Sequence, residues 1–95
     1  MPPIKFEYDT GNINKNVNKH FIINAEAESV FDDSNKIISY DHKHSALEIR
    51  YTCIGKSYVG RILYVVFVMR NGKVRIVSAR VVNKKNKLLY ENQAN

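Results

Sequence analysis

The spacing of hydrophobic and polar positions changes about a third of the way along the chain. Up to residue 31 most apolar residues recur at helical intervals, and beyond residue 36 they alternate. Residues 4–8 alternate and predict a short first strand. Asp9 or Thr10 can cap a helix running to about His20, with Ile13 and Val17 as its apolar stripe. Gly11, Asn12, Asn14, Asn16 and Asn18 disfavour that helix, so packing must hold it. Asn24 is the expected cap of a second helix over 25–31. There Glu26 and Glu28 would meet the positive end of the dipole, and Ala27, Val30 and Phe31 would face the core. Asp32, Asp33, Ser34 and Asn35 then predict a turn.

The alternating half predicts four strands, over 37–40, 47–54, 61–69 and 73–82. In the second, Ile49, Tyr51 and Cys53 share one face, and Glu48, Arg50 and Thr52 the other. In the fourth, strict alternation groups Val74, Ile76, Ser78 and Arg80, so Arg80 interrupts an apolar side and needs a partner or a ligand. Asn71-Gly72 asks for a type I′ hairpin. Asn83 can cap a last helix through Tyr90. The expected fold is α+β: β-α-α, then a four-strand antiparallel meander, then a C-terminal helix. Two helices can cover only one face of so small a sheet, which leaves Glu48 and Arg50 on a wetter one.

At 95 residues the chain has material for one core, and residues 1–95 are read as one domain. The single Cys53 excludes an internal disulfide and, within an apolar run, reads as a buried thiol. No targeting segment is visible and the apolar run over 62–69 is too short to span a bilayer, so a cytoplasmic protein without membrane contact is expected. The distribution of charge says more than its net value of +6. No acid lies between Glu48 and Glu91, where ten Lys and Arg residues fall. Such one-signed density points to a polyanion or an acidic partner.

Gly55-Lys56-Ser57 lacks the earlier glycine and the following helix of a phosphate loop, and reads as the start of a hairpin turn. His20, His42 and His44 lack a third spaced ligand, so no metal site is expected. His20, near a predicted helix end, can carry charge or move a proton near neutral pH. Glu48 beside Arg50 can orient a guanidinium against phosphate.

Taken in order, Phe6-Glu7-Tyr8-Asp9, Asn16, Lys19-His20, Val30-Phe31, Asp33, Asp41, His44-Ser45, Glu48, Arg50-Tyr51, Ile54-Gly55, Ser57, the string 75–80 (Arg-Ile-Val-Ser-Ala-Arg) and Tyr90 form a pattern. Over about residues 5–91 the chain resembles the BrnT family, ribonuclease toxins of bacterial type II toxin–antitoxin systems related to the RelE-type fold. The resemblance implies an RNA-cleaving toxin without cofactor. It also implies a BrnA-like antitoxin that occludes the toxin in a hetero-oligomer and alone contacts operator DNA. Three positions depart from the family pattern: Asn12 for Lys, Ile49 for Glu, and Asn86 for Glu. The last belongs to a capping-box spacing, so its loss weakens a helix start if the glutamate is structural, and attenuates the toxin if it is catalytic.

Without a metal-ligand set, the expected chemistry is attack of the RNA 2′-OH on the adjacent phosphorus, with arginines neutralising the phosphate. Arg50 and Arg80 are the candidate clamp, and His20 or Glu48 the base. Tyr90 is a candidate donor. Lys19, Tyr51, Arg75, Lys84, Lys85 and Lys87 are candidate RNA contacts, although alternation turns Tyr51 toward the core. The competing readings are a cationic RNA-binding or complex-forming domain that does not cleave, and a structural protein with an acidic partner.

Overall fold

The computed structural model describes residues 4–7, 21–44 and 48–93. The predicted first helix, with Lys19 and His20, lies outside the described residues. Helix α1 spans Asn24–Ser29 and runs on as a 3-10 turn, Val30–Asp32. Strand β1 is Ile37–Tyr40, and a second 3-10 turn is His42–His44. Then come β2 (Tyr51–Lys56), β3 (Ile62–Arg70), β4 (Lys73–Val81) and helix α2 (Lys84–Gln93). The four strands form one antiparallel meander in the order β1-β2-β3-β4, as the alternation predicts.

The core lies on one side of this sheet. Cys53, Leu63, Val65, Phe67, Val74, Ile76 and Ala79 point to that side and close on Ile22, Ala27, Val30 and Phe31. Burying Leu, Ile and Phe side chains of this kind contributes roughly 1.5–3 kcal/mol each. Phe31 sits edge-on to both Phe6 and Phe67, with ring centroids 5.4 and 5.1 Å away. Gly55 admits the 3-10 turn against β2. A Cβ there would stand 2.9 Å from the Val30 carbonyl oxygen and 3.1 Å from the Val30 Cβ. The Asn71-Gly72 turn has φ of 53° and 74°, the two left-handed residues of a type I′ hairpin.

Several expectations are corrected. Ile23, not Asn24, is the N-cap of α1: it is extended, and its carbonyl accepts from the Glu26 and Ala27 N–H groups. Of the expected strand over 4–8, residue 8 lies outside the described residues, and residues 4–7 do not make a full strand. Phe6 forms one parallel bridge to Val74, with Glu7 N–H donating to the Val74 carbonyl and Val74 N–H to the Lys5 carbonyl. Strand β2 begins at Tyr51, so Glu48 lies outside it. Gly55 and Lys56 complete β2, and the turn proper runs from Ser57 to Gly60. The second side of the sheet is not simply wet, because Thr52, Ile54 and Val68 on that side are buried as well.

Two polar clusters hold the elements together. Glu26 is buried rather than presented to solvent at the helix start. It accepts from the Ser57 hydroxyl at 2.7 Å and from Arg61 Nε at 3.0 Å, and pairs with Arg61 Nη2. Hydrogen bonding to Arg61 outweighs burial and holds the Glu26 carboxyl below its ordinary value, with help from Ser57. Asp33 ties three segments: it accepts from Lys56 N–H at 2.8 Å, Asn35 N–H at 2.9 Å and the Tyr90 hydroxyl. Helix α2 packs on β2 and is anchored further by Gln93, whose amide donates to the Asn35 carbonyl. Asn83 caps it as expected, its Oδ1 accepting from Asn86 N–H at 2.8 Å.

Candidate nucleic-acid interface

Arg75 and Arg80 are five positions apart, and in an unbroken strand an odd separation puts side chains on opposite faces. Here it does not. Val66 pairs with Ser78 but Phe67 pairs with Ile76, so Val77 is an extra residue in β4. This β-bulge resets the alternation. Val74, Ile76 and Ala79 enter the core, and Arg75, Ser78 and Arg80 share the opposite side. The expected grouping of Val74, Ile76, Ser78 and Arg80 is therefore wrong. Arg80 does not interrupt an apolar side: it belongs to a polar one.

Cross-strand pairing gives the order of side chains on that side. Arg80 stands opposite Tyr64, which stands opposite Ile54. Ser78 stands opposite Val66, which faces Thr52. Arg75 stands opposite Val68. Asp41 N–H donates to the Arg50 carbonyl at 2.9 Å, which carries the β1–β2 pairing one residue past Tyr51. Continued alternation gives Arg50 the same side as Thr52.

The guanidiniums meet different surroundings. Arg70 Nε and Nη2 grip Glu48 at 2.8 and 2.9 Å, a bidentate pair. Glu48 is thus gripped by Arg70, a residue outside the expected clamp. The Arg70 hydrogen bonds hold the Glu48 carboxyl below its ordinary value, and the Arg70, Arg75 and Arg50 charges add to the effect. Arg75 Nη1 lies 3.9 Å from Glu7 Oε1. The Arg80 guanidinium lies over the Tyr64 ring, 4.3 Å from its centroid.

The remaining candidates are dispersed. Lys84, Lys85 and Lys87 are exposed on the first turns of α2. Tyr51 lies on the core side of the sheet, stacked on Phe67 with 5.5 Å between centroids, so the sheet separates it from the arginines. Tyr90 is buried with its hydroxyl given to Asp33. Burial first, and then the Asp33 carboxylate, push that hydroxyl up to about 12. It is brought to Asp33 and not to Arg80. Cys53 is buried, and burial pushes its thiol up to about 12, which makes it a poor nucleophile. Among the described residues no three His, Cys, Asp or Glu side chains form a metal-ligand group, and no helix is long and apolar enough to cross a membrane.

Residues 8–86 match the family described as the ribonuclease toxin, BrnT, of type II toxin–antitoxin systems. The chain belongs to the BrnT family. A search of curated proteins finds no match. The BrnT match includes Arg50, Arg75, Arg80 and Glu48 and stops at Asn86, short of Tyr90. Membership supports a toxin-like, RNA-binding role, a cognate antitoxin and a ribonuclease lineage. The α+β order with a four-strand antiparallel sheet agrees with that assignment.

Tyr64 was missed by the sequence reading. Residues 62–69 are apolar throughout, so nothing in their pattern says which face each one takes. In the sequence Asp33 predicts only a turn, and its place in the family pattern is the one further signal it carries.

Proposed function

We propose that the chain is a ribonuclease toxin acting in the cytoplasm, with residues 1–95 as one toxin domain. It cleaves RNA by attack of a 2′-OH on the adjacent phosphorus, leaving a 2′,3′-cyclic phosphate and a 5′-OH. The observation that carries this reading is the β4 bulge, which aligns Arg75, Ser78 and Arg80 on one side of the sheet in a chain of the BrnT family. Guanidiniums on a strand are positioned by the sheet and can neutralise the charge that develops on phosphorus oxygens. Arg50, by continued alternation, joins them on that side. DNA lacks the 2′-hydroxyl and cannot follow this route. His20 remains the candidate base. Glu48, gripped at both oxygens by Arg70, serves better to order that guanidinium than to take up a proton.

A BrnA-like antitoxin would cover the cationic side of the sheet in a hetero-oligomer and would supply the operator-DNA contact. A non-cleaving RNA binder is the second reading, favoured by the engagement of both Glu48 and Tyr90 with other side chains. End-group mapping separates the two. Incubation of the purified chain with labelled RNA should yield cyclic-phosphate and 5′-hydroxyl ends, and a single 2′-deoxy substitution at the cut site should abolish the cut. Binding without any new ends would assign the chain to the second reading.

A further inference from the structure

Arg61, Arg70 and Arg75 each face a carboxylate, from Glu26, Glu48 and Glu7 respectively. Arg80 faces an aromatic ring instead. Among the described residues no carboxylate lies within ion-pair distance of Arg80, and its one other contact is a long 3.5 Å approach to the Val81 carbonyl. An ion pair largely cancels the field of a guanidinium and occupies its donors. A ring beneath the guanidinium plane does neither. It fixes the plane through the quadrupole and leaves the N–H edge pointing outward, the edge that binds phosphate bidentately.

The ring is itself fixed. Tyr64 lies between Arg80 of β4 and Ile54 of β2 in one cross-strand row, and Ile54 is buried. Next along the same side come Val66 and Ser78, whose hydroxyl can donate to an oxygen held by Arg80. The bulge at Val77 is what places Ser78 and Arg80 on the side of Tyr64 at all.

We infer that Tyr64 is the positioning residue of the principal RNA-phosphate subsite, holding Arg80 flat so that its free edge receives a phosphate. The inference rests on the ribonuclease reading and adds a residue and a division of labour. Arg80 carries the phosphate contact, and the carboxylate-paired Arg70 and Arg75 contribute mainly background field.

The test uses the full chain and two labelled single-stranded RNAs of one sequence, one cleavable and one 2′-O-methylated throughout. Affinity for the methylated strand is measured across a salt series for wild type, Y64F, Y64L, R80A and Y64L/R80A, with a thermal unfolding curve for each. Removing Arg80 should lower the salt slope by about 0.7, the value of one single-strand phosphate contact. Y64L should weaken binding about 2- to 5-fold, the scale of an exposed cation–π contact, and should lower the slope in the same direction. Y64F keeps the ring and should behave as wild type. Y64L/R80A should be no weaker than R80A, because both changes act on one contact. Y64L indistinguishable from wild type, or losses that add in the double variant, would overturn the inference, while new ends formed on the cleavable strand by wild type report separately on the ribonuclease reading. A wild-type chain with no affinity for RNA would overturn that reading and the inference with it. The unfolding curves keep a folding defect from being mistaken for either result.

Discussion

Replacing Tyr90 by Phe tests whether this tyrosine is a structural tie or a chemical group. The substitution leaves the buried ring in place and removes the donor to Asp33. A hydrogen bond to a charged acceptor contributes about 1.5–3 kcal/mol. Asp33 is half-buried and keeps its bonds from Lys56 and Asn35, so water can replace part of the loss. We expect destabilisation of about 1–2 kcal/mol. In a domain of this size each 1 kcal/mol lowers Tm by roughly 4–8 °C. The pH dependence should change too. Burial by itself would raise the Asp33 carboxyl, but the bonds from Lys56, Tyr90 and Asn35 prevail and hold it below the ordinary value of 3.8. A depressed carboxylate contributes stability that is present above the unfolded value and is lost as pH falls through the folded one. Y90F should therefore shrink the difference in stability between neutral pH and strong acid. Thermal or urea unfolding from acid to neutral pH measures both effects, and single-turnover RNA cleavage is followed in parallel. The rate should stay within about threefold of wild type, well short of the roughly 10²–10⁴-fold of a proton-transfer group. Unchanged stability with a rate loss on that larger scale would refute the structural assignment and make Tyr90 a catalytic donor.

Three further outcomes are expected. Gly55→Ala places a methyl 2.9 Å from the Val30 carbonyl oxygen, and overpacking of this kind costs about 1–3 kcal/mol; a Tm equal to or above wild type would contradict the contact between β2 and the 3-10 turn. Asn86→Glu should add about 0.3–1 kcal/mol by completing the capping box begun by Asn83, and a tenfold rise in single-turnover rate without added stability would assign that position to chemistry. Because Tyr90 is raised to about 12 from an ordinary 10.0, its contribution is present below pH 10 and lost as pH rises through 12. Asp33→Asn removes the acceptor charge, so the loss of stability between neutral pH and about pH 12, measured by urea unfolding, should be smaller in that variant than in wild type.

The strands, the Asn71-Gly72 hairpin and the Asn83 cap were legible because each is written in local pattern. Alternation, a residue pair tolerant of left-handed φ, and a short side chain that reaches a backbone N–H act within four residues. The bulge at Val77 was not legible. Val74 and Ile76 alternate toward the core, and Ala79 resumes the core side out of phase; in sequence this looks like a polar Ser78 and Arg80 intruding on an apolar face. Glu26 and Glu48 misled for a different reason. Each carboxylate is defined by an arginine 35 or 22 positions away, Arg61 or Arg70, and spacing carries no information at that range. Asn24 lost the capping role because the chain enters α1 one residue earlier, through an extended Ile23 whose carbonyl already takes the first N–H groups.

The central claim is that the bulged strand presents arginines to an RNA phosphate whose own 2′-hydroxyl attacks. Its most direct measurement is single-turnover cleavage of one RNA in excess EDTA by wild type, R80A, R75A/R80A and, as a contrast on the same side, K73A. The account predicts cyclic-phosphate ends from wild type and a loss of at least tenfold in R80A. It predicts a further loss in R75A/R80A and nearly full activity in K73A. Cleavage that vanishes in EDTA and returns with one added metal, or an equal loss in all three variants, would contradict it.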